Sequence, residues 1–168
     1  MMQRVLETRK AKLGREHAYT LLAMLNLALV KAALNQLVDA EAFILTGLPI
    51  AERNLGADHI AYLWGRCNLG KIWMKQERWI EAEALFVDVT ERQKNTLQGR
   101  GRHHPDRIGG LVQLATVYNK LGKFDECDRV ANEALDALDF MSTTKHPIAT
   151  ELIANQESWK RERQEVAP

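Results

Sequence analysis

Four histidines recur along the chain at nearly constant intervals and are the residues that most suggest chemistry. His17, His59, His104 and His146 are separated by 42, 45 and 42 residues. Imidazole is a common metal ligand, so the four side chains could be read as a metal site. However, each histidine opens a predicted helix one repeat from the next, which sets them roughly 10 Å or more apart by helix diameters. Because the ligands of one ion lie closer together than this, the pattern favours a structural role at turns and no metal site.

Candidate nucleophiles are few and lack the neighbours that would activate them. Cys67 and Cys127 are too few for a disulfide framework and form no CxxC pair. Ser142 and Ser158 lie in connecting or terminal positions without the glycine-flanked strained turn of a hydrolase nucleophile. The chain also contains no phosphate-binding GxxxxGKS/T sequence and no HExxH sequence. We therefore expect no catalytic residue and no cofactor.

The charge balance points away from nucleic acid. The chain of 168 residues has 23 basic and 22 acidic residues, so its net charge is +1 and it lacks the field of a general nucleic-acid binder. Residues 92–107 are rich in Arg and His but lack interleaved aromatic residues, which favours a solvated loop. The longest nearly uncharged run, residues 19–30, is too short to span a bilayer. These features predict a cytoplasmic protein without a membrane or nucleic-acid partner.

The histidines belong to a longer internal repeat. The segment at residues 26–28, Asn-Leu-Ala, returns at 68–70 as Asn-Leu-Gly and at 113–115 as Gln-Leu-Ala. In each repeat a wide apolar stripe at helical spacing is followed by a short polar turn and a second helical stripe. No stretch alternates like a strand. The sequence therefore predicts an all-α chain of about eight helices, at residues 2–13, 18–34, 37–54, 60–76, 79–96, 105–121, 124–140 and 147–163.

This pattern resembles tetratricopeptide repeats in the 42-residue form of kinesin light chains. The resemblance is carried by residues 114–118 with 121–124, by 79–85 and by 55–59, and similar repeats occur at the C-termini of fungal nucleotide-binding receptor proteins. It implies a right-handed superhelical solenoid of antiparallel helix pairs. We expect a segment of a longer array: the second helix of a preceding repeat at 2–13, repeats at 14–55, 56–98 and 99–141, and a C-terminal capping helix in 142–168.

Several residues allow sharper structural predictions. Pro49 falls inside the predicted second helix of the first repeat, where it removes a backbone N–H, so we expect it to bend or interrupt that helix. Gly122 suits the left-handed conformation that ends a helix. Aromatic residues at the packing positions of the repeats are expected in the core, namely Trp73, Trp79, Phe86, Tyr118 and Phe124.

The resemblance also implies which residues face a ligand, because the first helix of each pair lines the concave face in this family. Three amides in equivalent positions would form a ladder that pairs with the backbone of an extended peptide, and three lysines would favour an acidic segment. The same side chains could instead be packing residues or ordinary solvated charges. The predicted peptide-binding groove consists of Leu22, Asn26, Leu29, Trp64, Asn68, Lys71, Lys75, Gln113, Thr116 and Lys120.

The main functional interpretation is a non-catalytic module that binds a peptide or protein segment in this groove. One alternative is the sensing or autoregulatory repeat region of a larger nucleotide-binding receptor, which a P-loop upstream would favour. A second alternative is self-association through the helix that carries Val5 and Leu6. Light scattering across a concentration series would test the second alternative.

Overall fold

Eight α-helices make up the part of the chain that a computed structural model describes, residues 2–96, 103–140 and 147–166, and those residues contain no strand. The predicted all-α class and the predicted number of helices are confirmed. Helix ends agree with the prediction to within one residue, except that the last helix continues to residue 166. The helices are α1 (Met2–Leu13), α2 (Ala18–Ala33), α3 (Leu37–Leu55), α4 (Ile60–Lys75), α5 (Trp79–Thr96), α6 (Pro105–Lys120), α7 (Phe124–Phe140) and α8 (Pro147–Val166).

Three of the recurring histidines cap the N-termini of helices. The Nδ1 atom of His17 accepts a hydrogen bond from the backbone N–H of Tyr19, at 3.2 Å. His59 and His104 do the same two residues ahead, at 3.1 Å and 3.2 Å. Each ring thereby satisfies one N–H that the first helical turn leaves without a partner. The predicted structural role is confirmed at these three positions, and His146 lies outside the described residues.

The first helix of each pair ends in one repeated turn. Asn35, Glu77 and Gly122 all have positive φ, at 60°, 61° and 71°. One residue later, the backbone N–H reaches back to a carbonyl five residues earlier in each turn, as from Lys123 to Tyr118 at 2.9 Å. The prediction for Gly122 is confirmed. Glycine adopts this conformation freely, whereas a glutamate at position 77 costs about 1 kcal/mol.

The helices fall into two compact units, Met1–Leu85 and Phe86–Pro168. In the first unit, α2 packs against α1, α3 and α4, and the buried side chains include Leu21, Ile44 and Leu63. α4 lies close to its neighbours at Gly65, where an added Cβ would be 3.0 Å from Leu48 Cδ2.

The second unit repeats this plan. α6 and α7 form a hairpin against which α8 packs, and the core contains Phe86, Ile108 and Leu152. Gly110 lies 45 residues after Gly65, and a Cβ there would be 2.8 Å from Thr90 Cγ2. A residue without a side chain is therefore used at the same point in both repeats.

Some of the sharper predictions were wrong. α3 runs without interruption from Leu37 to Leu55 through Pro49, so the expected interruption is wrong and the proline is accommodated inside the helix with the loss of one N–H donor. The expected bend stays a prediction. Phe124 is 41% exposed, although the Arg163 guanidinium lies 4.4 Å above its ring and covers one face. Phe86 and Tyr118 are buried as expected, while Trp73 and Trp79 are half-buried.

Candidate binding surfaces

One face of α2 exposes an apolar stripe. Leu22 is 40% exposed, Asn26 and Leu29 are half-buried, and Ala33 is exposed. These residues follow one another at helical spacing, so they share a face. The stripe therefore offers aliphatic surface and one accessible amide. We call it the α2 stripe.

The corresponding residues of α4 differ in how far they can reach a ligand. Trp64 is half-buried and Lys71 is exposed. Asn68 is only 4% exposed, and its Nδ2 donates to the backbone oxygen of Trp64 at 3.0 Å. Much of the amide that was expected to pair with a peptide is thus occupied by its own helix. Lys71 forms no ion pair within the residues that the structure describes, so its charge is available; we call these three residues and Lys75 the α4 stripe.

Lys75 connects the two stripes. Its Nζ donates to the backbone oxygen of Ala32 in the last turn of α2, at 3.2 Å. The last carbonyls of a helix lack partners inside the helix and carry its partial negative charge. Lys75 therefore caps α2 as well as contributing positive charge, and the bond brings the C-terminal ends of the two stripes side by side.

In the second unit, α6 carries a shorter stripe of the same type. Gln113 and Thr116 are half-buried and Lys120 is exposed. The Thr116 hydroxyl donates to the Val112 carbonyl at 3.0 Å. The amide and the ammonium group are therefore the accessible polar groups of this stripe.

Sequence reasoning missed a polar cluster centred on Glu41. Its carboxylate accepts hydrogen bonds from Trp73 Nε1 at 2.8 Å, from Gln76 Nε2 at 2.9 Å and from Arg78 at 2.7 Å. Burial raises the pKa of Glu41, but these three hydrogen bonds and the charge of Arg78 outweigh it, so the pKa is lowered. The cluster ties α3 to α4 and to the turn that follows α4.

A repeated acidic position was the signal that could have identified this cluster. Asp128 occupies the position of Glu41 in the third repeat, and it accepts two hydrogen bonds from Arg163, at 3.0 and 3.1 Å. The acidic residue thus returns at the repeat period on a face of the second helix. An acidic residue that recurs in this way, with an arginine 35 to 37 residues after it, indicates an ion pair between neighbouring elements of the repeat.

Arg107 corrects the interpretation of the basic segment as a solvated loop. Its guanidinium is 3% exposed, and it donates to Glu133 Oε1 at 2.6 Å and to the Thr90 carbonyl at 3.2 Å. A buried charge of this kind requires such partners. Arg92 lies in α5 and pairs with Asp88, while Arg100 and Arg102 lie outside the described residues.

The described residues offer little for catalysis or metal binding. They contain no cluster of three or more His, Cys, Asp or Glu side chains that could hold a metal ion. Burial raises the pKa of the Cys127 thiol, which lowers its reactivity as a nucleophile. None of the described helices combines the length and the apolar character needed to cross a bilayer.

Comparison with known proteins gives one family and one fold. The tetratricopeptide repeat family model matches residues 20–61 and 63–106, and no curated protein matches the chain. Two crystal structures of the nearly identical TPR-like repeats of a candidate kinesin light chain from Podosopora anserina are similar to it. They have TM-scores of 0.79 and 0.77 at 22% identity, and the alignments cover 98% of this chain and 77% and 78% of theirs.

A third similar structure is BtubC (BKLC) from P. vanneervenii, with a TM-score of 0.74 and 17% identity over 84% of this chain and 55% of that one. Identities this low speak for the fold alone. The three structural matches confirm the predicted solenoid of antiparallel helix pairs.

Proposed function

The chain belongs to the tetratricopeptide repeat family, and we propose that it is a non-catalytic interaction module that binds an extended, acidic segment of a partner protein. Tetratricopeptide folds are scaffolds that generally mediate protein–protein interaction. What is proposed for this chain is the surface, which consists of the α2 and α4 stripes, and the chemistry of the ligand.

The distribution of charge along the first helices supports an acidic ligand. α2 and α4 together contain four basic residues and no acidic one. The basic residues are Lys31, Arg66, Lys71 and Lys75, and Lys31 is paired with Asp39 at 2.8 Å. Lys71 and Lys75 are the cations of the α4 stripe; both are exposed and form no ion pair among the described residues, although Lys75 donates to the Ala32 carbonyl. An acidic side chain of a ligand would find attraction there and no repelling carboxylate on either helix.

The apolar surface beside this charge supports an extended peptide as the ligand. Leu22 and Leu29 can hold aliphatic or aromatic side chains, and Asn26 between them can both donate to and accept from a peptide backbone. The observation that carries the proposal is the bond between Lys75 and Ala32, because it joins an apolar stripe to a basic one in a single unit. The stripe of Gln113, Thr116 and Lys120 on α6 is proposed to offer the same chemistry in the second unit.

A peptide selection tests the proposal. A displayed library of random peptides is selected against the intact chain, and the enriched peptide is labelled and titrated by fluorescence anisotropy. We expect acidic peptides with an apolar anchor to be enriched. Lys71→Glu should weaken binding about tenfold, because an attraction of up to ~1 kcal/mol is replaced by repulsion. Leu22→Ser should weaken it about fivefold through the loss of apolar contact.

Two matched variants separate this surface from general effects. Lys12→Glu makes the same change of charge at an exposed residue of α1, and Val38→Ser removes an aliphatic side chain of α3 that, at 78%, is more exposed than Leu22. Both should bind within twofold of the parent chain. Enrichment of basic peptides, or equal losses in the test and control variants, would contradict the proposal.

Self-association is the second candidate, and exposed apolar residues outside the stripes favour it. It was expected through the helix that carries Val5 and Leu6; Leu6 is 1% exposed and belongs to the core, whereas Val5 is 37% exposed. Leu34 and Val38 are 65% and 78% exposed and lie near each other in sequence at the turn between α2 and α3. A dimer through this turn should be lost in Val38→Ser and should be visible as concentration-dependent light scattering, whereas a strictly monomeric chain removes this candidate.

A further inference from the structure

The cleft between α7 and α8 combines an apolar floor with a negatively charged rim. Its volume is about 270 Å³, and it is lined by Leu135, Asp136, Leu138, Asp139, Ala149 and Ile153. Leu138 and Ala149 form the buried floor, and Ile153 on α8 is 46% exposed. This volume is below the usual range for a cofactor or drug-sized ligand. It suits one aliphatic or aromatic side chain of a partner.

Three features add to the negative potential at this cleft. Asp136 and Asp139 are exposed, and they form no ion pair within the described residues. They lie one turn apart on the same face of α7, so their charges repel each other. They also lie in the last turns of α7, where the helix dipole is negative and where no basic residue is present.

The rest of α7 does not compensate for this charge. The helix contains six acidic residues and one basic residue. Glu133 and Asp128 are paired with Arg107 and Arg163, but those cations serve other carboxylates. A cation placed at the rim of the cleft would therefore relieve repulsion between Asp136 and Asp139 as well as gain attraction to both.

We propose that the α7–α8 cleft is a docking site for a partner segment in which an aliphatic or aromatic side chain is flanked by lysine or arginine. The apolar side chain enters the cleft over Leu138 and Ala149, and the flanking cations lie against Asp136 and Asp139. The site belongs to the second helix of a pair and the helix that follows it, so it differs from the first-helix stripes in both position along the chain and sign of charge.

A minimal probe tests the proposal on the intact chain. Acetyl-Lys-Leu-Lys-amide is titrated into the ¹⁵N-labelled chain, and amide shifts are followed in two-dimensional NMR spectra. We expect saturable shifts at Leu138, Ala149 and Ile153, and none with acetyl-Glu-Leu-Glu-amide. Asp136→Asn with Asp139→Asn should weaken binding about fivefold, because each exposed carboxylate supplies a factor of about 1.4 to 5 and the two factors multiply to about 2 to 25.

The control changes the same charge at the opposite end of the same helix. Asp125 and Glu126 are exposed residues of the first turn of α7, and Asp125→Asn with Glu126→Gln should leave the affinity within twofold. Ala149→Leu should abolish binding by filling the cleft. If that variant does not fold, Ile153→Ser at the exposed wall should weaken binding at least threefold. Equal losses in the two charge variants, binding of the glutamate probe, or no saturable shift would overturn the proposal.

Discussion

Two neighbouring glycines of α6 should respond in opposite ways to the same substitution. An added Cβ at Gly109 would meet no atom within 4 Å, whereas one at Gly110 would lie 2.8 Å from Thr90 Cγ2. Alanine in place of a helical glycine gains about 1 kcal/mol in either position. At Gly110 the gain is opposed by overpacking, which costs about 1–3 kcal/mol.

Thr90 has little freedom to move away. It is 5% exposed, and its hydroxyl donates to the Phe86 carbonyl at 2.8 Å, so rotation of the side chain gives up a buried hydrogen bond. We therefore place the cost at the upper end of the range and expect Gly110→Ala to be about 1–2 kcal/mol less stable than the parent chain. Gly109→Ala should be about 1 kcal/mol more stable. The two alanine variants should thus differ by about 2–3 kcal/mol in the free energy of unfolding.

Urea denaturation followed by circular dichroism at 222 nm measures this difference through the midpoints, provided that the m-values agree. Thr90→Ser removes the clashing methyl group and keeps the hydroxyl, so it should restore at least 1 kcal/mol in the background of Gly110→Ala. Equal stabilisation by both alanine substitutions would refute the close approach of α6 to α5 at Gly110. An unchanged loss in the double variant would show that Thr90 is not the obstacle.

Three other predictions concern a turn, a cap and the acid sensitivity of the fold. Glu77→Gly should raise the free energy of unfolding by about 1 kcal/mol, because it removes the cost of a left-handed glutamate; unchanged urea midpoints would count against it. His59→Ala should cost about 1 kcal/mol and His59→Asn should retain the cap to the Ala61 N–H, and thermal unfolding distinguishes them. The pKa of Glu41 is lowered in the fold, so its contribution is present at neutral pH and is lost as the pH falls through the folded-state value. Glu41→Gln should therefore lower the free energy of unfolding by about 1–2 kcal/mol at pH 7 and by progressively less in acid. The exposed change Glu52→Gln on the same helix should leave the free energy of unfolding unchanged at both pH values.

The helices could be predicted from the sequence because their ends are specified locally. A histidine caps the N-terminus of a helix by accepting a hydrogen bond from an N–H two residues later, and a left-handed residue ends the helix just after its last turn. Both signals lie within a few residues of the helix end that they specify, and both return at the repeat period. His59 and Gly122 illustrate this, since the structure confirms the role of each. Pro49 shows the limit of such rules: neighbouring helices bury Gly47, Leu48 and Ala51 around it, and this packing holds the helix together despite a missing hydrogen bond.

The binding surface was harder to predict, because residues on one face of a helix differ in exposure for reasons that lie on other helices. Asn68 and Lys71 are one turn apart, yet Asn68 is covered and Lys71 is exposed. Lys75 is engaged by a carbonyl of α2 that no sequence pattern marks. The repeat period shows which residues share a helix face, but the exposure of each side chain on that face depends on how the neighbouring helices pack against it.

Charge is segregated by helix even though the chain is almost neutral. α2 and α4 have four basic residues and no acidic one, whereas α7 has six acidic residues and one basic one. Within a Debye length of about 8 Å at physiological salt, a ligand responds to the helix it touches and hardly to the net charge of +1. The net charge therefore argues against a general polyanion binder but is compatible with partners of either sign. This is why an acidic segment on the first helices and a basic segment at the α7–α8 cleft are compatible proposals for one chain.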